Sequence, residues 1–314
     1  MWLPWETAFQ IAVALAVVLA IVTVVRTRTS TRSATRSSTG AARWLNMART
    51  TLVELVLMFT LYGVWQYVHE RVGDRSAGAI ARARSLYRFE QAIHLPSELS
   101  VQRVFIDHKP VMQFLNVYYG GAHVTAVGIV LVWLFVRHRD RYSRIRTTLA
   151  VSIVGCFLVQ MIPVAPPRFL PDLGFVDAGL LYHQSVYGDG TGGISNQVSA
   201  MPSLHVGWAV LVGVAVVVIS RSRWRWLALL HPALTTLSVV ATGNHWWLDG
   251  VAAVMILAVA YVVVRAGERG ARRVRAALRA GLADEPDDDR GDAVDGRSSE
   301  APEPVGALAK LERR

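Results

Sequence analysis

The sequence predicts an all-α integral membrane protein, on three observations. Of its 314 residues 53% are hydrophobic and only 18% charged, below the roughly 25% charged content of a soluble domain. The apolar residues come in long blocks rather than alternating with polar ones, and mean hydropathy is +0.33, the pattern of spanning helices rather than of one soluble core. The arginines cluster in short segments beside those blocks, as positive-inside anchors do. That placement also turns the net charge of +10 away from nucleic acid, and no nucleic-acid partner is expected. The lone Cys156 lies in an apolar block, so neither an intrachain disulfide nor a thiolate cluster is expected.

A membrane-crossing helix needs about 20 mainly apolar residues. Seven stretches qualify: 7–25, 51–69, 111–136, 147–165, 204–220, 226–242 and 247–265. The first has no basic leader and no small-residue cleavage site, so it reads as a span rather than a signal peptide. The sixth contains His231 and Pro232, which a membrane helix tolerates when neighbours satisfy the freed carbonyl. Glu54 falls inside the second, so it should face the protein interior and needs a polar partner.

With seven spans, the arginines of 26–50, 137–146, 221–225 and 265–275 fall on one side, which is then cytoplasmic. Residues 1–25 are the N-terminal span, 26–50 a basic cytoplasmic linker, flexible over 27–40, and 51–265 the polytopic membrane domain. The N-terminus lies outside, as do the segments 70–109 and 166–203. The first of these contains an amphipathic stretch suited to a membrane interface. The second, rich in Pro, Gly and Asp, should be loop with short helices. Residues 266–314 form a cytoplasmic tail, disordered from about 283, where the chain turns acidic and polar.

The chemistry-bearing residues gather at the outer ends of the spans. In "SAMPSLHVGWAV" (199–210), Pro202 suits a first helical turn, Ser199 and Ser203 are candidate caps, and His205 projects from that turn. The free N–H groups of such a helix start attract phosphate oxygens. In "GNHWWLDG" (243–250), His245 and Asp249 stand four apart, as on one helix face. A carboxylate there fixes the imidazole tautomer and frees the other nitrogen as nucleophile or base. Arg168, in "APPRF" (165–169), offers a fork of donors to phosphate. Ser203, Asn244 and Lys109 are further candidate phosphate contacts, with Arg84, Arg88, Arg103 and His108 as weaker sources of positive charge. His205, His245 and Asp249 also read as three metal ligands, though no HExxH motif is present. A channel or transporter would carry polar positions to both membrane faces, and a scaffold would need none of this chemistry.

These motifs resemble the type-2 phosphatidic acid phosphatase superfamily over about 50–265. "PSLHVGW" (202–208) looks closest to the inositol-phosphotransferase branch, which includes inositol phosphorylceramide synthases; the phosphatase branch more often has glycine where Leu204 stands. "HWWLD" (245–249) is similar to the superfamily's histidine–aspartate motif. The resemblance implies a six-helix transmembrane core, to which the first span is an addition, with the site at the extracytoplasmic end. It implies His245 as the nucleophile, Asp249 as its support, His205 as the general acid and Arg168 as a phosphate grip. It further implies a membrane lipid phosphate as substrate, water or an alcohol as acceptor, and no cofactor or metal. Two departures stand out: Met161 replaces the lysine seven residues before Arg168, and "VVATGN" ahead of His245 lacks an arginine. Part of the phosphate clamp is therefore expected from the segment 70–109. The sequence leaves oligomeric state open.

Overall fold

The computed structural model describes residues 4–32, 39–73, 78–185 and 198–283. Apart from one isolated β-bridge, the described residues form helices and connecting loops. Helix α1 spans Trp5–Arg32 and packs along α2, Thr39–Gly73, with the Trp5 ring 5.3 Å from that of Tyr67. Then come α3 (Ala79–Ala92), α4 (Glu98–Phe105), α5 (Lys109–Arg137) and α6 (Arg139–Gln160). Two 3-10 turns and the single turn α7 (Ala178–Leu181) lead to α8 (Leu204–Ile219). A 3-10 stretch, Arg223–Leu229, precedes α9 (Leu230–Ala241), and α10 covers Trp247–Ala283.

This is an all-α fold with several long apolar helices, consistent with a multi-pass membrane protein. Among the described residues five helical stretches are long and apolar enough to cross a membrane: Trp5–Thr27, Trp44–Val64, Lys109–Arg137, Arg139–Gln160 and Trp247–Leu278. These cover the expected spans one, two, three, four and seven with shifted ends. The fourth begins within the arginine-rich turn and stops at Gln160 rather than 165. Arginine is a good helix former, and Pro163 lies three residues past the helix end, where prolines commonly stop helices.

The expected fifth span is α8, whose 16 residues reach only about 24 Å. The expected sixth is divided into the 3-10 stretch and the 12-residue α9. Pro232 explains the division: it falls in the first turn of α9, where its missing N–H leaves no gap in the helix ladder. The stretch 27–40 is helical at both ends, up to Arg32 and from Thr39. Extending an existing helix is far easier than nucleating one, so the long spans carry helix into their basic flanks. Residues 33–38 and the tail from 284 lie outside the described residues.

Contacts divide the chain at Gly267. In the second unit the described part is helical, with Arg272 3.7 Å from Glu268 one turn away. In the first, Glu54 of α2 meets Arg146 of α6 at 2.6 Å, supplying the partner that an acid within a span requires.

The segment that positions the site is residues 163–165. The oxygen of Pro163 accepts from Arg82 Nε at 2.7 Å, that of Val164 from the Ala200 N–H at 3.0 Å, and that of Ala165 from Trp246 Nε1 at 2.9 Å. The Ala165 N–H donates to Ala79 O at 3.2 Å. Around it Ala79, Ala83, Leu99, Leu170, Phe175 and Trp246 form a buried cluster. The amphipathic α3 therefore turns its buried face, Ala79, Ala83 and Glu90, onto protein, and it leaves Ile80, Phe89 and Ile93 exposed. Burying Trp246 alone contributes about 3 kcal/mol by apolar area.

Candidate active site

The residues around His245 are placed by the end of α9. Gly243 adopts a left-handed φ of 71° just past that helix, a conformation that favours glycine. Its N–H donates to Val240 O and that of Asn244 to Val239 O, both at 3.0 Å, the double bond of a Schellman ending. The turn aims Asn244 and His245 back over the helix end. Arg168 is tied to the same turn, its own N–H donating to Gly243 O at 2.9 Å.

His245 itself precedes α10, which begins at Trp247. The His245–Asp249 pair is thus formed across a helix start rather than along one helix face. Asp249 sits in the first turn, fully buried, and its Oδ2 accepts the Trp246 N–H at 2.8 Å. That is the backward reach of a capping-box carboxylate. The same Oδ2 lies 3.2 Å from His245 Nδ1, and Ala200 O lies 2.8 Å from that nitrogen. A carbonyl oxygen only accepts, so Nδ1 carries the hydrogen and neutral imidazole keeps its lone pair on Nε2. Nε2 is buried with no hydrogen-bond partner. The arrangement presents one basic, nucleophilic nitrogen and anchors the other.

His205 enters from the first turn of α8. Ser203 is the N-cap, its hydroxyl accepting from the Val206 N–H at 3.4 Å and its own N–H donating to Asp249 O at 3.0 Å. Pro202 therefore lies ahead of the helix rather than in its first turn. The α8 and α10 starts approach closely: a Cβ on Gly250 would stand 3.3 Å from Val206, and one on Gly207 3.3 Å from Ala253. The imidazole centroids of His205 and His245 are 5.3 Å apart.

Two residues that the sequence reading left without a role complete this cluster. The Tyr119 ring of α5 stacks on His205 at 4.5 Å, and the His123 ring, one turn further on, lies 4.1 Å from it. Tyr119 is buried and His123 half-buried there, brought to one face by the i, i+4 spacing of a helix, the one signal in the sequence that could have found them.

Arg168 is 6% exposed. Its guanidinium donates to Asn244 Oδ1, and its Nε lies 3.2 Å from Asp177 Oδ2. Asn244 Nδ2 in turn donates to Thr242 Oγ1 at 2.8 Å. Asn244 and Ser203 thus hold neighbouring groups in place. Lys109 is exposed at the start of α5 and makes no hydrogen bond or ion pair with the cluster. The segment 70–109 sends two acids and an amide inward, Glu90, Glu98 and Gln102, all buried. Among its described basic residues, Arg84 pairs at the surface with Asp172 at 2.7 Å and Arg82 Nε donates to Pro163 O at 2.7 Å. Among the described residues no three metal-ligating side chains converge; His245 Nδ1 is turned to Asp249 instead.

Residues 84–263 match the model of the PAP2 superfamily. No curated protein and no solved structure matches the chain. The matched region takes in His123, Arg168, His205, His245 and Asp249 and more than half of the chain, which therefore belongs to the PAP2, or type-2 phosphatidic acid phosphatase, superfamily.

Proposed function

We propose that this protein is a membrane lipid phosphatase or phosphotransferase that works through a phosphohistidine on His245. The observation that carries this reading is the His245 ring: Nδ1 is held by Ala200 O and Asp249 Oδ2, and the unpartnered Nε2 stands beside His205. In the first step Nε2 attacks phosphorus and the bond from phosphorus to the lipid oxygen breaks. His205 delivers a proton to that leaving oxygen. Asp249 stabilises the positive charge that the phosphorylated ring acquires. In the second step a water or alcohol oxygen attacks phosphorus, its proton passes to His205, and the phosphorus–nitrogen bond breaks. Arg168 and the first N–H groups of α8 would face the phosphoryl oxygens, where charge spreads in the transition state.

The proposed topology has seven spans, the PAP2 core of six preceded by α1, with the catalytic cluster at the extracytoplasmic face and the C-terminus in the cytoplasm. A lipid substrate then keeps its tails in the bilayer while its headgroup reaches the histidines. Leu204 in "PSLH" favours a second reading, headgroup transfer to an inositol-like alcohol rather than hydrolysis.

The test is purified protein in nanodiscs, supplied with lipid phosphates, with and without an inositol-like acceptor. Free phosphate and exchanged lipid are both measured. His245→Ala should abolish every product and the acid-labile phosphoenzyme; near-wild-type turnover by this variant would overturn the nucleophile assignment. A reporter fused after residue 314 should be cytoplasmic, and an external reporter would overturn the topology.

A further inference from the structure

Two carboxyl groups that the chemistry above does not use stand behind the Asp249–His245 pair. Glu90 ends α3 and Glu98 opens α4, and both are completely buried. Each spends one oxygen on the start of α10: Glu90 Oε1 accepts the Leu248 N–H at 2.8 Å, and Glu98 Oε1 the Trp247 N–H at 3.3 Å. The other oxygen of each, Oε2, is buried and receives no N–H or hydroxyl donor. Two ionised carboxylates in that condition would be costly, since each lacks a donor and each repels the other. A single proton shared between the two carboxyl groups, whose side chains lie within hydrogen-bonding reach of one another, removes both defects at once.

We propose that Glu90 and Glu98 hold one proton between them and act as a positioning pair, fixing the first turn of α10 and with it Asp249 and His245. This rests on the proposed role of His245. The pair does not touch substrate. With Asp249 on the Trp246 N–H, three carboxyl groups from three helices close three consecutive N–H groups at the start of α10, those of Trp246, Trp247 and Leu248. The loop between Glu90 and Glu98 joins the clamp, because Trp247 Nε1 donates to Pro96 O at 2.6 Å.

The electrostatics agree. Burial first, then the hydrogen bond with Glu98 and the charge of Glu98, push the Glu90 carboxyl from the ordinary 4.5 up to about 9. The nearby charge of Asp249 pushes the same way, and the Leu248 N–H pulls against it. Tyr87, on the same helix, faces Trp246 at 5.7 Å between ring centroids. The folded protein binds this proton more tightly than the unfolded chain does. Stability therefore declines as pH rises from about 4.5 to about 9 and then levels off. Above pH 9 the proton leaves, Glu90, Glu98 and Asp249 repel one another, and the turn carrying the nucleophile's support loosens.

The experiment follows kcat and KM from about pH 6 to pH 10 in nanodiscs, alongside amide hydrogen exchange at residues 246–248 corrected for the intrinsic rate. In the wild type kcat and amide protection should fall together near pH 9, with KM changing by less than about twofold, since the pair touches no substrate. Glu90→Gln keeps an acceptor and a donor but cannot ionise, and it should move both losses up by at least about one pH unit. Glu90→Ala, lacking the acceptor, should lower kcat on the order of tenfold at every pH. A Glu90→Gln protein with the wild-type alkaline limb, or wild-type protection that does not change across the range, would sink the shared-proton pair. An active His245→Ala protein would sink the nucleophile reading instead, while the exchange data still decide the fate of the pair.

Discussion

α8 and α10 begin side by side around the same histidines, and their first turns are finished in opposite ways. At the start of α10 the N–H groups of Trp246, Trp247 and Leu248 are taken by carboxyl groups, from Asp249, Glu98 and Glu90. At α8 the cap is one neutral hydroxyl, Ser203, reaching only the Val206 N–H. Among the described residues no acceptor takes the Leu204 or His205 N–H. An anion approaching α10 meets negative charge, whereas one approaching α8 meets free donors and the positive end of a helix dipole. One turn holds its residues still, and in the proposed reaction the other receives phosphate. The proposed nucleophile, His245, is mounted on the closed start and the proposed proton donor, His205, on the open one.

Substitutions can break this contrast in order of expected effect. Asp249→Asn keeps an acceptor for the Trp246 N–H but removes the charge behind His245, so kcat should fall on the order of a thousandfold. Single-turnover phosphoenzyme formation would check this, and a loss under tenfold would argue against Asp249 as the charge partner. On the open side, His205→Gln should cost about a hundredfold with an alkyl leaving group. It should cost much less with a nitrophenyl ester, whose oxygen leaves without a proton. Equal losses on both substrates would remove His205 from the acid role. Arg168→Lys loses the fork held by Asn244 and Asp177 and should raise KM about tenfold, read from steady-state kinetics. The smallest effect belongs to the α8 cap: Ser203→Ala should destabilise by about 1 kcal/mol, a shift of a few degrees in thermal unfolding in detergent, because its long bond is the cap's only contribution.

Much of this was readable in the chain. The apolar blocks gave the long helices, and the spacing of His245 and Asp249 gave their partnership, although the pair bridges a helix start. Glu54 announced its need for a partner, and Arg146 answers it. The rest depended on distance in sequence. Tyr119 and His123 carry no motif of their own, and only the packing of α8 brings His205 against them. Glu90 and Glu98 sit among mixed residues that any exposed helix could carry, and only the packing of α10 on them, some 150 positions on, makes them buried acids. The positive charge of 70–109 says nothing of partners, and Arg84 meets its own at the surface in Asp172 while the capping acids Glu90 and Glu98 go in. The expected spans five and six differed because hydropathy counts apolar residues and takes no account of where Pro232 resets the helix.

The Glu54–Arg146 contact bears on how the protein is made. Its two charges lie 92 residues apart, so the helix holding the acid leaves the ribosome well before the helix holding the base. A lone carboxylate at mid-membrane costs about 3 kcal/mol on insertion scales, and α2 carries that cost until α6 arrives. On the proposed topology the second helix is expected to wait at a protein-lined or watery site during synthesis, its partner not yet translated. A nascent chain stopped before residue 139 should show α2 incompletely inserted in glycosylation mapping, and Glu54→Gln should release it from the wait.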